Sequence, residues 1–164
     1  MNSSQQRAHE IRRRYRITHP CDIERVLEGE NIHVVPYPFK GRVNEVIVLN
    51  FIGLPLGFTP HSREGDELLA HALGHYLLHA GNQPFFHLHH DRTVSRQMEH
   101  QAWDFAFELF IPQLALARML QKSRDESDLR EHFQVSVDFF KRRLQAFRED
   151  GANYLHRRSA EVET

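Results

Sequence analysis

Glu67-Leu-Leu-Ala-His71-Ala72-Leu-Gly74-His75-Tyr-Leu-Leu-His79 is the stretch that decides how the rest of the chain is read. Its apolar residues recur at helical spacing and run toward Gly81, a residue suited to closing a helix. His71 and His75 are therefore expected on helical backbone, four apart and on one face, where both imidazoles can reach one ion. That spacing underlies the zinc motif His-Glu-x-x-His. The residue after His71 is Ala72, so the ligand pair is kept while the general base of the motif is missing.

Zinc that performs chemistry wants three protein ligands and an open fourth position. Downstream, Val94, Met98, Ala102, Phe105 and Leu109 recur at helical spacing until Pro112 stops the pattern, which predicts a core helix. Glu99 lies on its second turn and is the expected third ligand. Between the two helices His87, His89 and His90 form a histidine-rich tract, a compositional hint of metal that fits a cleft border better. A short helix is expected to continue to Gln121.

The chain has 164 residues, 40% of them apolar, with twelve Phe, enough for one globular core. A formal charge of −1 leaves no chain-wide basic field, so any nucleic-acid contact would have to be local. The single cysteine, Cys21, excludes an internal disulfide framework, although a thiol is a strong zinc ligand and Cys21 is a candidate for blocking the fourth position. Arg12, Arg13 and Arg14 stand where a signal peptide would need an apolar run, and no stretch is apolar enough to span a bilayer. A cytoplasmic protein with no membrane partner is expected.

Residues 3 to 18 read as a basic helix with Ile11 and Tyr15 on a thin apolar stripe, and Pro20 opens a second helix that ends at Gly29. The period then changes to two. Ile32 to Tyr37 and Val43 to Asn50 read as antiparallel strands joined at Lys40-Gly41, with Pro36 and Pro38 putting the first strand at an edge or ending it early. Phe51 to Arg63 reads as a loop, with room for a short strand. Near the C-terminus, Asp128 to Phe133 reads as a helix, followed by a tight turn and a helix capped by Ser136. Lys141, Arg142 and Arg143 could face DNA there. Phe139 and Phe140 sit where base-reading side chains would be wanted, so packing is the better reading. The fold expected is α+β: one domain over residues 1–150 with a small antiparallel sheet packed by several helices, then a frayed tail over 151–164.

Leu69-Ala70-His71-x-Leu73-Gly74-His75-Tyr76-Leu77-Leu78-His79 resembles the metal-binding helix of the ImmA/IrrE family of metallopeptidases. Glu99-x-x-Ala102-x-x-Phe105-Ala106-x-x-Leu109-x-x-Pro112 is similar to that family's second helix, whose glutamate completes the zinc site. The likeness extends to Pro20-x-Asp22-Ile23, Val48-Leu49-Asn50 and Phe133-x-Val135-Ser136 with Arg143-Leu144. It implies a zincin-like fold, zinc held by His71, His75 and Glu99, and a helix-turn-helix transcriptional repressor as substrate. Cleavage of that repressor would derepress an operon of a mobile element, a phage-defence system or a DNA-damage response.

Two departures from the pattern stand out. A glutamate at position 72 would take a proton from water and pass it to the leaving amine; the methyl group of Ala72 cannot, which costs roughly 10²–10⁴ in rate. The chain as written is expected to bind zinc and cleave very poorly, either as an inactivated peptidase or as a natural pseudopeptidase that serves as a protein-binding module. Trp103 stands where members tend to have Asn or Asp, which leaves Asp104 as the nearest candidate to orient a zinc histidine. Tyr76, His87, His89, His90 and Tyr154 are candidates by residue type for steadying an oxyanion. The activating signal is expected to act on this domain or its substrate, with single-stranded DNA on Arg12, Arg13, Arg14, Arg16, Arg157 and Arg158 as one candidate.

Overall fold

The computed structural model describes residues 2–18, 20–39, 45–80, 85–86, 92–123 and 125–162, with side chains at all of these except 80, 85–86, 92–95 and 152–162. The histidine segment forms helix α3 (Arg63–His75). Ser62 caps it by accepting from the Gly65 amide, and Glu64 and Asp66 lie in the first turn, where the helix dipole favours acids. Leu69, Ala70, Ala72 and Leu73 are all in the core, together with His71 and His75. A helix buried around so much of its circumference belongs at the centre of a fold. Beyond His75 the backbone continues as a π-helical turn over Tyr76–Ala80; Gly81, the expected stop, lies outside the described residues.

Helix α4 (Arg92–Phe110) packs against α3 on one side and against α1 (Ser3–Arg14) on the other. Pro112 ends the pattern as expected, and α5 (Gln113–Lys122) follows. Helix α2 (Ile23–Gly29) begins at the Asp22 cap and ends at Gly29. Helix α6 (Glu126–Phe133) turns through Gln134, at φ 55°, into α7 (Val137–Val162). Ser136 caps α7 by accepting from the Phe139 amide at 3.2 Å. Phe139, Phe140 and Arg143 are 2–3% exposed or less, so this face of α7 packs into the core and cannot read DNA. The helix runs on through Gly151 to Val162.

The sheet departs from the expected antiparallel pairing. Strands β1 (His33–Tyr37), β2 (Val46–Val48), β3 (Phe51–Pro55) and β4 (Phe85–Phe86) lie in the order β1-β3-β2-β4. β2 and β3 are antiparallel and are joined by Leu49-Asn50, with Leu49 at φ 53°. β1 pairs with β3 in parallel, His33 opposite Phe51 and Pro36 opposite Leu54, so the sheet is mixed. The short Leu49-Asn50 turn takes one edge of β3 for β2, and only its other edge is left for β1. The expected turn at Lys40-Gly41 lies outside the described residues. β1 is an edge strand ending at Tyr37, as Pro36 and Pro38 require.

A second buried cluster, away from the histidines, locks the helices together. Arg143 donates from Nη2 to Glu108 Oε2 at 2.8 Å and from Nε to the Ile111 carbonyl at 3.0 Å. Glu108 also accepts from the Gln113 amide at 3.0 and 3.1 Å and lies 2.9 Å from His9 Nε2. The carboxylate thus serves as the side-chain cap that Pro112 cannot supply to α5. Arg12, one of the arginines named as a candidate DNA contact, donates to the carbonyls of Leu109 and Ile17. No described helix is long and apolar enough to cross a membrane.

Candidate metal centre

α3 and α4 bring the expected residues together because Gly74 lets their backbones touch. A Cβ at Gly74 would stand 2.8 Å from the Ala102 carbonyl oxygen and 3.0 Å from its Cα. Ala102 lies three residues beyond Glu99, so this close approach sets the reach of the Glu99 carboxylate. Its Oε1 is 3.0 Å from His75 Nε2 and its Oε2 is 3.3 Å from His71 Nε2. The three residues proposed from sequence therefore share one site.

A fourth member was not expected. Glu45, just before β2, is 3% exposed and faces the same cluster. Its Oε1 lies 3.4 Å from His75 Nε2 and its Oε2 lies 3.5 Å from His71 Nδ1. Among the described residues, Glu45, His71 and His75 form a buried group able to hold a metal ion. The signal in the sequence was parity: Glu45 alternates with Ile47, which is 1% exposed, and so points inward with it. A glutamate within a β-branched run reads by default as the solvated face.

The hydrogen bonds behind His75 determine which nitrogen faces the cluster. His79 Nε2 is 2.9 Å from Gln101 Oε1, and His79 Nδ1 is 3.2 Å from His75 Nδ1. A proton on His79 Nε2 satisfies Gln101, so His79 Nδ1 accepts from His75 Nδ1–H. His75 Nε2 faces two carboxylates, Glu99 Oε1 at 3.0 Å and Glu45 Oε1 at 3.4 Å. Two carboxylates converging on buried imidazoles call for positive charge among them, carried by a proton or by a metal ion. Burial pulls the His79 imidazole below its ordinary value, keeping it neutral in this chain of bonds.

Two further observations fit a cation. Glu45 Oε1 and His71 Nε2 are buried atoms that make no hydrogen bond among the described residues, and such orphans in a native site call for an unseen partner. Glu99 Oε1 and Glu45 Oε1 also stand 3.0 and 3.4 Å from His75 Nε2, near the edge of about 3.3 Å between two ligand atoms on a tetrahedral zinc with bonds near 2.0 Å. Burial lowers the affinity of His71 for a proton, but Glu45 and Glu99 outweigh it, and the imidazole is held above its ordinary value.

The surroundings differ from expectation at Asp104. It accepts from Asn2 Nδ2 at 2.6 Å and lies 3.3 Å from His100 Nδ1, so it is engaged with α1 and its own helix. It is His79, with Gln101 behind it, that lies against His75. Trp103 covers His71 instead, with ring centroids 4.2 Å apart and planes 28° from parallel. Arg142 lies over the Trp103 ring, 3.7 Å from its centroid. Beside this stack opens a cleft of about 330 Å³ whose walls carry Arg63, Arg130 and Arg142 together with Glu64, Glu67 and Asp138.

Ala72, at the position of the missing base, is fully buried and presents only a methyl group. Cys21 is not a member of the metal-capable group; its charged neighbours are Arg12, Asp22 and Asp66, and burial pushes its thiol up to about 12. Of the oxyanion candidates, Tyr76 packs partly buried against the core. His87, His89 and His90 lie outside the described residues, as do the side chains of Tyr154, Arg157 and Arg158.

The family model described as the IrrE N-terminal-like domain, a peptidase family, matches residues 61–145. That span is 85 of the 164 residues and runs from the start of α3 into α7. No curated protein and no solved structure matches the chain.

Proposed function

The chain belongs to the peptidase family of IrrE N-terminal-like domains, and from that premise we propose that it is a zinc-binding regulator of metallopeptidase type that engages a helix-turn-helix transcriptional repressor. His71, His75 and Glu99 are the proposed ligands. Zinc, when bound, supplies a Lewis acid able to polarise a peptide carbonyl. The rest falls to the chain's own side chains. His79 and Gln101 hold the His75 ring so that Nε2 faces the ion, and Trp103 shields His71 from water. Nothing at position 72 can accept a proton, so hydrolysis is slow and the cleft holds the repressor with little cutting. The cleft beside Trp103, with three arginines and three acids on its walls, suits a polar segment of mixed charge on the partner.

The observation that carries this reading is the convergence of two carboxylates, Glu45 and Glu99, on His71 and His75. Metal analysis of the purified chain is expected to find one zinc, lost in the variant with both His71→Ala and His75→Ala. Stoichiometric zinc persisting in that variant would place the site elsewhere. Mixing the chain with the repressor encoded beside it is expected to give a stable complex of intact repressor. Rapid cutting by the native chain would refute the regulatory-binding reading. Derepression of a mobile-element, phage-defence or DNA-damage operon is the proposed setting, with single-stranded DNA as trigger. An affinity for the repressor that short DNA strands leave unchanged at low salt would remove the trigger.

A further inference from the structure

We propose that Glu45 is a fourth protein ligand that closes the metal site, so that the ion held there fixes the cleft and has no open position for hydrolysis. This rests on the assignment of His71, His75 and Glu99 made above. Three observations point to Glu45. Its carboxylate is buried with one oxygen lacking any hydrogen bond among the described residues, and that oxygen is aimed at His75 Nε2. Its 3.4 Å separation from that nitrogen is the spacing of two ligands on one ion. A carboxylate that only took a proton from water beside the ion would stand a further atom away, with the water between. Finally, two carboxylates and two neutral imidazoles cancel the charge of a divalent cation. A neutral site is what burial at this depth requires, with His75 fully buried and His71 and Glu45 nearly so.

Closure also makes sense of Ala72. Structural zinc sites have four protein ligands, whereas hydrolytic ones keep one position free. With Glu45 in place a base on α3 has no reactant to act on, and a small apolar residue fills its position in the core.

The test uses the full chain loaded with Co²⁺, whose visible spectrum reports the number of ligands, alongside Glu45→Ala and Glu45→Gln. The native spectrum is expected to ignore added azide, since no position is free. Both variants are expected to bind Co²⁺ more weakly by at least the ~10–100-fold typical of losing a group that supports a metal site. Their spectra should shift with azide. Should Glu45→Ala fail to fold, as judged by its circular dichroism, the isosteric Glu45→Gln carries the same readouts. A native spectrum that moves with azide, or native affinity in both variants, would overturn the proposal. So would repressor cutting by the native chain that Glu45→Gln abolishes at unchanged metal affinity, which would make Glu45 a proton acceptor. The two readings separate cleanly: native-like Glu45 variants together with metal loss from the double histidine variant sink closure alone, while metal retained in that double variant sinks the ligand assignment itself.

Discussion

Among the described residues, the buried charges around Glu108 and those around His75 are finished to different degrees. Around Glu108 the carboxylate meets Arg143, the start of α5 and His9, and Arg143 spends its remaining reach on the Ile111 carbonyl. Around His75 two carboxylates converge, yet Glu45 Oε1 and His71 Nε2 make no hydrogen bond among the described residues. Both clusters exclude water to a similar depth. The difference teaches that burial of charge is no sign of function until its partners are counted. A completed network holds helices together, and an incomplete one is a candidate place for an ion.

That contrast can be broken most forcefully at Arg143. Arg143→Ala leaves Glu108 buried beside fewer partners, and chemical denaturation should find a loss of about 3–5 kcal/mol. Glu45→Gln in the metal-free chain should cost less, because Glu45 Oε1 makes no hydrogen bond among the described residues and only Oε2 reaches a partner, His71. An equal loss in both variants would erase the distinction. The next largest effect concerns position 72. Ala72→Glu alone should leave the repressor intact, whereas Ala72→Glu combined with Glu45→Ala should raise its cleavage by roughly 10²–10⁴, the worth of a general base given an open position. Full activity in Ala72→Glu alone would mean that Glu45 does not obstruct the site.

Smaller changes sharpen the comparison. His79→Phe keeps the ring volume but removes the acceptor behind His75, and zinc affinity should fall by ~10–100-fold in a chelator competition. No change would mean that His75 is oriented by packing alone. Gly74→Ala should destabilise the fold by about 1–3 kcal/mol, because the overpacking against Ala102 exceeds the gain in helix propensity. A more stable variant would show that α3 and α4 have slack. The least effect at neutral pH belongs to Cys21. Its thiol rises from an ordinary 9.0 to about 12 on folding, so folding favours the protonated form. Stability from this group is intact below pH 9 and is lost as pH climbs toward 12. Cys21→Ala should flatten that alkaline decline, and an identical pH profile would contradict the burial.

Much of this was legible in the residues, and the reasons differ from part to part. Helix α3 declared itself through its apolar spacing and the histidine pair, while the Ser62 cap and the acids behind it emerged with the structure. Glu99 could be found because a helix imposes a face on every residue along it, so an acid at the right turn of a core helix must point somewhere specific. Glu45 could not be found that way. A three-residue strand gives too short a pattern to say which face is buried, and Val46 and Val48 make both faces look apolar. The sheet order was hidden for a related reason. Parallel pairing of β1 with β3 is a long-range choice, and Leu49-Asn50 lacks the glycine that usually betrays a tight hairpin. His79 was visible as part of the motif, but its bond to Gln101 depends on the π-helical turn that follows His75.

The β2–β3 hairpin gives the sheet a second job, that of a counting device. Successive residues of a strand face opposite ways, so the number of residues between Phe51 and position 45 decides which side chain meets the histidines. One residue inserted at Leu49-Asn50 would slide β2 by a single step, present Val46 to the cluster and turn Glu45 outward. The helices and their histidines would be untouched. On the proposal that Glu45 is a ligand, whether this domain would grip an ion with two carboxylates or one is thus written in the length of a turn.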